Sequence, residues 1–368
     1  MIEDARFGIV RSKVNKNCPV KLDQIYCDGF VEDNSNGIGV FSHFHSDHIG
    51  DVESCLRKYD TLITHPITLA AIDALNPGFK LYASWASQDY GQPFPSRVGK
   101  IQLLKANHIP GSAQVHLETN NSTFLYSGDF KFPEMTIEQA DFLVLDASHG
   151  DPNYDGPTDR LSVKNRMLDD VHEKMDLGKP VVIISHSGTM QELIRHFEIN
   201  DSIKPLNHDI KFVARKEQIQ ILHKIYEKEK DEFRDIVEYD SPDYWKLIRT
   251  NSRCVIFLSS VPKKDDENNS FLDAIDEDIQ NYYKIIVDRY KFEKNKPAIQ
   301  PFDGNYEGMG CRYNLASHSS VAEILDYVDA VSPKEIITDA SRSNFAPLLA
   351  KLISLKFPKI KVHSEPRV

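Results

Sequence analysis

Within Phe41-Ser42-His43-Phe44-His45-Ser46-Asp47-His48, six consecutive positions hold three imidazoles and a carboxylate. Imidazole nitrogen together with carboxylate oxygen is a donor set for a divalent cation, Zn²⁺ first, with Mn²⁺ or Fe²⁺ as alternatives. His43 and His45 are two apart, so on an extended segment both point the same way. Asp47 and His48 follow at what reads as a helix start, turned toward a second cation. The bland alternative is a histidine-rich surface loop, which would rarely follow straight after the buried-strand pattern of Ile38–His43. A metal centre needs further ligands from elsewhere in the chain. His108, in Asn107-His108-Ile109-Pro110-Gly111-Ser112-Ala113, and Asp129, in Tyr126-Ser127-Gly128-Asp129-Phe130, each stand just past an expected strand. A carboxylate such as Asp129 can bridge two metals roughly 3.5–4 Å apart. Alone, a strand-end histidine is usually structural and Gly-Asp usually a turn; with the cluster, and in this order, they are far more specific.

The elements that must position these groups read as short β runs separated by turns. Strands are expected at Ile25–Phe30, Ile38–His43, Thr61–Thr64, Lys80–Ala83, Gln102–Ala106, Gln114–Glu118, Phe124–Ser127 and Phe142–Leu145, with helices near Gly50–Lys58 and Thr68–Asn76. Near Pro157 the texture changes. Leu161–Asp176 has helical spacing and stops at Gly178-Lys179-Pro180. VVII (Val181–Ile184), Lys211–Ala214 and Cys254–Leu258 read as buried strands, with helices after Gly188, at Lys216–Lys228 and at Phe271–Tyr290. This βαβα alternation predicts a small parallel-sheet domain. Lys263–Asn269 reads as a solvated loop. After the Gly-rich bend Gly304–Gly310 the pattern returns to a helix at Ser320–Val331, a strand at Glu335–Thr338 and a helix at Phe345–Leu355. One domain interrupted by another is therefore expected: 1–164 and 304–368 around an insert at 165–303.

A chain of 368 residues fits roughly two domains. Its five cysteines (Cys18, Cys27, Cys55, Cys254, Cys311) are scattered without a Cys-x-x-Cys pair, against a disulfide framework or a cysteine-zinc ribbon. No apolar run approaches the roughly 18 residues of a membrane span, and the N-terminal residues lack a signal pattern. No membrane partner is expected, and a cytoplasmic setting follows (nuclear if eukaryotic). The net charge of −11 disfavours broad coating of a phosphate backbone but leaves room for a local basic groove.

HFHSDH (His43–His48), NHIPGSAQ (Asn107–Gln114) and YSGDF (Tyr126–Phe130) resemble motifs two, three and four of the metallo-β-lactamase superfamily. Asp28, in Tyr26-Cys27-Asp28-Gly29-Phe30, matches the first motif, an acidic residue that orients ligands from behind. The resemblance implies an αββα sandwich, with His43, His45, His108 and Asp129 on one metal and Asp47, His48 and Asp129 on the other. Leu143-Val144-Leu145-Asp146-Ala147-Ser148 resembles motif A of the β-CASP branch of nucleic-acid-processing members, and the expected insert sits where that branch carries its β-CASP domain. Ala316-Ser317-His318-Ser319-Ser320 resembles motif B, whose histidine contacts the scissile phosphate. Asp339 falls near motif C, where RNA-processing members have a histidine ligand and Artemis-type DNA nucleases lack one; an aspartate there could hold the second metal. Ser187 and Gly188 match the turn where Artemis-type enzymes hold a terminal phosphate. From the residues alone, Asp146, His318 and Asp339 also read as turn or helix caps, and Ser187–Gly188 as a plain turn.

The implied function is a metal-dependent phosphodiesterase acting on nucleic acid through a metal-activated water, with Asp47, Asp146 and His318 as the catalytic residues beyond the metals. His318-Ser319-Ser320 resembles the Artemis-type nucleases, and Gly111-Ser112-Ala113-Gln114 and Ser127-Gly128-Asp129-Phe130-Lys131 resemble ligase-associated DNA exonucleases, so DNA leads over RNA. An RNA-processing β-CASP ribonuclease, a small-molecule metallo-hydrolase of β-lactamase or lactonase type, and an inactive scaffold are the alternatives. The intact ligand set speaks against the scaffold.

Overall fold

The computed structural model describes residues 6–10, 18–31, 37–77, 84–153, 159–201, 210–230, 235–250, 253–259, 282–288, 299–301 and 309–366. The chain divides into two compact units, Met1–Asn153 with Ser317–Val368, and Tyr154–Ala316.

The first unit opens with strands β1 (Phe7–Ile9), β2 (Val20–Leu22), β3 (Ile25–Cys27) and β4 (Gly37–Phe41). Helices α1 (Ser46–Ile49) and α2 (Val52–Lys58), β5 (Tyr59–Thr64), α3 (Pro66–Leu75) and β6 (Trp85–Ser87) follow. Next come β7 (Pro93–Ser96), β8 (Gly99–Lys105), β9 (Ala113–Glu118), β10 (Thr123–Tyr126) and β11 (Phe142–Leu145). The second unit contains α4 (Arg160–Asp176), β12 (Val181–Ile184), α5 (Thr189–Asp201), β13 (Lys211–Ala214), α6 (Lys216–Glu229), β14 (Val237–Glu238), α7 (Pro242–Arg249), β15 (Cys254–Leu258), β16 (Tyr283–Asp288), β17 (Ile299–Pro301) and β18 (Gly310–Asn314). The chain returns to the first unit with α8 (Val321–Val331), β19 (Glu335–Asp339), α9 (Ala346–Lys356) and β20 (Lys361–Glu365).

In the first unit, a six-stranded sheet of order β1-β2-β3-β4-β5-β6 faces a seven-stranded sheet of order β20-β19-β11-β10-β9-β8-β7. Alternating side chains make the layer between them: Val20, Leu22, Ile25, Val40 and Ile63 from one sheet, Ile101, Leu103, Val115, Leu117, Phe124 and Val144 from the other. The far face of the seven-stranded sheet is covered by α8 and α9 through Ile324, Tyr327, Val328, Leu349 and Ile353, and α2 packs on β5 of the six-stranded sheet. This is an αββα order of layers. The strands that matter for the site are parallel to their neighbours: β3 to β4, β10 to β11, and β11 to β19. Their C-terminal ends therefore share an edge within each sheet. Asp28 follows β3, His43 follows β4, Asp129 follows β10, Asp146 follows β11, and Asp339 ends β19.

The second unit is a sheet of order β14-β13-β15-β12-β16-β18-β17, parallel except for the edge strand β17. α4, α5 and α6 bury Met167, Leu193 and Leu222 on one face, and Tyr244 of α7 packs on the other. The unit reaches beyond 165–303 on both sides, because α4 starts at Arg160 and β18 pairs inside this sheet. The expected helix Phe271–Tyr290 is corrected over its described part: Tyr283–Asp288 is strand β16, paired between β12 and β18. Ile285 and Ile286 are buried on opposite faces of that sheet; a strand covered on both faces carries no period-2 signal and cannot be separated from a helix by pattern. The strand expected at Lys80–Ala83, the loop Lys263–Asn269 and residues 304–308 of the Gly-rich bend lie outside the described residues. All five cysteines are free thiols, and among the described residues no helix is long and apolar enough to cross a membrane.

Leu117 lies fully buried in the layer between the sheets. Leu117→Ala is expected to lower unfolding free energy by about 2–5 kcal/mol in chemical denaturation; a loss inside experimental error would argue against this packing.

Candidate metal centre

Asp28 is the buried anchor of the site. Its left-handed backbone (φ +55°) turns the chain at the end of β3. Ser42 N donates to Oδ1 at 2.7 Å, while Oδ2 accepts from Ser42 Oγ at 2.6 Å, Tyr126 Oη at 2.9 Å and His48 Nδ1 at 2.8 Å. These donors and Arg342 outweigh burial, the largest single influence, and hold the carboxyl below its usual range.

The same network decides which nitrogen of each histidine carries a free lone pair. His48 gives its Nδ1–H to Asp28, leaving Nε2 as a buried acceptor with no hydrogen-bond partner, 3.5 Å from Asp129 Oδ2 and 3.7 Å from Asp47 Oδ2. Ser42 Oγ has committed its proton to Asp28, so it accepts from His43 Nδ1 at 3.0 Å, and the His43 lone pair moves to Nε2. His108 gives Nδ1–H to the Ser317 carbonyl at 2.7 Å, again leaving Nε2. Both Nε2 atoms lie 3.1 Å from His45 Nδ1 and 3.5–3.6 Å from Asp129 Oδ2. One N–H on His45 can satisfy only one of these neighbours. A single cation satisfies all four donors, and ligands at a Zn–N distance of 2.0–2.1 Å on a tetrahedron stand about 3.3–3.4 Å apart. His43, His45, His108 and Asp129 thus form one group that fits a divalent cation.

The loops are built to hold this edge. Gly128 takes φ +53°, and a Cβ there would meet the Ala113 carbonyl at 2.9 Å. Ser112 Oγ accepts from the backbone N–H of His108 and of Ile109, closing the loop around His108. Asp146 follows β11 and accepts from His318 Nδ1 at 2.9 Å; His318 Nε2 then lies 3.7 Å from Asp129 Oδ2. Asp129, Asp146 and His318 form a second group of converging donor atoms, and all three side chains are buried. The cap reading of His318 is realised two residues further on, where Ser320 and Glu323 make a capping box for α8.

Asp339, Ser187 and Gly188 sit differently from the expectation. Asp339, like Asp47 and His48, lies outside both groups of donor atoms among the described residues. Ser341 N and Oγ donate to its Oδ1, and Arg342 Nη1 donates to its Oδ2 at 2.8 Å. In the second unit, Ser187 Oγ donates to Gln218 Oε1 at 3.0 Å and Gly188 N donates to Gln191 Oε1 at 2.6 Å, so the turn's donors serve that unit's own network. Pattern reading had no way to find Ser42, Tyr126 or Arg342, which are backing groups whose partners are distant in sequence.

Burial first, then the neighbouring imidazoles, push His43 and His108 well below the ordinary histidine range. Burial also opposes the charge on His48, but the carboxylates of Asp129, Asp47 and Asp28 overcome it and raise His48 well above that range. Burial raises Asp129, whereas for Asp47, whose side chain is 58% exposed, the desolvation it does feel is outweighed by His48, His45 and Arg342, which draw it down to about 2.

No family model matches the chain. An RNase J-like protein of Methanocaldococcus jannaschii is 24% identical over 187 residues, 45% of this chain and 44% of its own length. RNase aCSPSF2 of Saccharolobus solfataricus is 27% identical over 175 residues, 40% of this chain and 35% of its own. A UPF0173 metal-dependent hydrolase of Anoxybacillus flavithermus is 31% identical over 103 residues, 27% of this chain and 39% of its own. The chain is a low-identity relative of the metallo-β-lactamase/β-CASP nucleases. It spans less than half the length of the RNase J-like protein and of RNase aCSPSF2, 44% and 35%. Within that relationship, the His/Asp cluster is the feature expected of a metallo-hydrolase.

Protons compete with a cation for imidazole lone pairs. His48 takes up its proton above, and His43 and His108 below, the ordinary value of 6.5. As pH falls, the three-histidine group should therefore keep its lone pairs below the ordinary histidine value. Dialysis at stepped pH with metal quantified should show metal retained below that value; complete loss centred on the ordinary histidine value would contradict this assignment.

Proposed function

We propose that this chain is a metal-dependent phosphodiesterase that hydrolyses nucleic acid. The observation that carries the reading is the shared Asp129: it belongs both to the three-histidine group and to the group with Asp146 and His318. Ligands and a proton-handling pair therefore meet on one carboxylate. His43, His45, His108 and Asp129 would hold a first cation, Zn²⁺ by donor type, and Asp47, His48 and Asp129 a second. A divalent cation there supplies Lewis acidity toward a phosphoryl oxygen and toward water. Asp28 holds the His48 tautomer. Asp146 fixes His318 with Nε2 toward Asp129, so Nε2 is the atom that donates to the leaving oxygen. The unit Tyr154–Ala316 takes the role of the β-CASP insert.

The polymer is where two sets of observations pull apart. His318-Ser319-Ser320 and the Gly111–Gln114 and Ser127–Lys131 stretches favour DNA, while three relatives carry RNase names. We retain DNA as the leading substrate and RNA as the second reading. A metal-dependent hydrolase among the relatives keeps a small-molecule ester or lactam as the third.

The test uses purified protein of known metal content with 5′-phosphorylated and unphosphorylated single strands of DNA and RNA at low salt. Cleavage by the wild type is expected, with His43→Ala and His318→Ala each reducing the rate by at least 10²-fold. His43→Ala should also lower bound metal, whereas His318→Ala should leave it unchanged. No cleavage of any strand by metal-loaded protein would remove the nuclease reading and shift weight to a lactam or lactone.

A further inference from the structure

Arg342 is a buried guanidinium whose side chain is only 7% exposed, and it touches three different segments of the first unit. Nη1 donates to Asp339 Oδ2 at 2.8 Å, Nη2 to the Asp28 carbonyl at 3.2 Å, and Nε to the Asp47 carbonyl at 3.4 Å. Asp339 is itself fixed by Ser341. The guanidinium is thus anchored at the end of β19 in the seven-stranded sheet and reaches two loops that leave the six-stranded sheet.

Those two loops carry the residues assigned to the second cation position. Asp28 holds a left-handed backbone that a side-chain-bearing residue adopts only under constraint. Its carbonyl is gripped by Arg342 while its carboxylate grips His48. Asp47 lies in the four-residue helix α1, which has no side-chain cap at its N-terminus, and its own side chain is 58% exposed. Its carbonyl, in a helix too short to satisfy its own last acceptors, accepts a hydrogen bond from Arg342. The planar fork spans all three acceptors at once, which a lysine ammonium on a single flexible stem cannot do.

We infer that Arg342 is a positioning residue for the second cation position, clamping the Asp28 and Asp47 backbones so that His48 Nε2 and the Asp47 carboxylate converge on Asp129. This rests on the two-cation reading of the centre. His43, His45 and His108 receive none of the contacts named for Arg342; the first position meets the clamp only indirectly, through Asp28, Ser42 and the shared Asp129, and so responds less to its loss.

The experiment is calorimetric titration of metal-stripped protein with Zn²⁺, with bound zinc counted separately after dialysis. Wild type should take up two equivalents in two unequal steps. Arg342→Lys and Arg342→Gln should keep the first step within about twofold and weaken the second at least tenfold, about 1.4 kcal/mol. A general loss of structure would move both steps together, so the selective change separates positioning from mere stability. If Arg342→Lys binds like wild type while Arg342→Gln tightens the second step, the residue acts only as a charge and the inference is overturned. Two wild-type steps in both variants overturn it as well. Should Arg342→Gln not fold, Asp339→Asn, which loosens the anchor, is expected to weaken the second step at least threefold; no change there overturns the inference. No zinc uptake by wild type would instead bring down the metal reading itself.

Discussion

Four lone-pair donors brought within hydrogen-bond distance of one another, most of them out of contact with water, are repulsive unless something positive stands among them. That constraint governs the first unit. Asp129 is itself one of the four donors and adds negative charge to the arrangement rather than relieving it, while also facing His48 and His318. The donors need a cation, and the fold spends its buried polar groups on keeping the donors aimed rather than on relieving them. A protein interior tolerates this only when every backing group is satisfied. The satisfied set is visible in Asp28, Ser42, Tyr126 and Ser317, each bonded to the far side of a ligand or of its neighbour.

Chemical role at this edge is set by tautomers. His43, His48 and His108 have an Nδ1 partner behind them and an Nε2 in front, while His45 presents Nδ1. His48 and His318 both give Nδ1 to a carboxylate, Asp28 and Asp146 respectively. A carboxylate behind an imidazole stabilises its protonated form, whereas a carbonyl such as that of Ser317 mainly fixes orientation. One edge thereby holds two kinds of histidine: His43 and His108, backed by a hydroxyl and a carbonyl, and His48 and His318, each backed by a carboxylate that favours a proton on the ring.

Strand direction supplies the convergence. β3 and β4 run parallel, as do β10, β11 and β19, so loops far apart in sequence leave the sheets at shared edges. Gly128 and Gly111 permit the close approaches these loops require: a Cβ on Gly111 would meet Ile67 and Thr68 at 2.9 Å. Ligands placed on strand ends rather than on long loops inherit the rigidity of the sheets.

Local spacing determined a good deal by itself. The His43–His48 run, His108 and Asp129 were legible because ligand types recur just past apolar alternation, and the parallel character of the second unit was legible from VVII, Lys211–Ala214 and Cys254–Leu258. Strand β16 was not, since a strand buried on both faces looks like a helix segment. The role of Asp339 was decided only by folding: a carboxylate at a strand end reads as a ligand until Arg342, three residues on, is seen to occupy it. The gripping of Asp28 and Asp47 by Arg342 likewise has no local signature, because hydrogen bonds across 314 and 295 residues leave no period in a sequence. Residue type and spacing decided which atoms are available for chemistry; the packing of two sheets decided which of those atoms meet, because only tertiary contact sets each tautomer and commits each carboxylate.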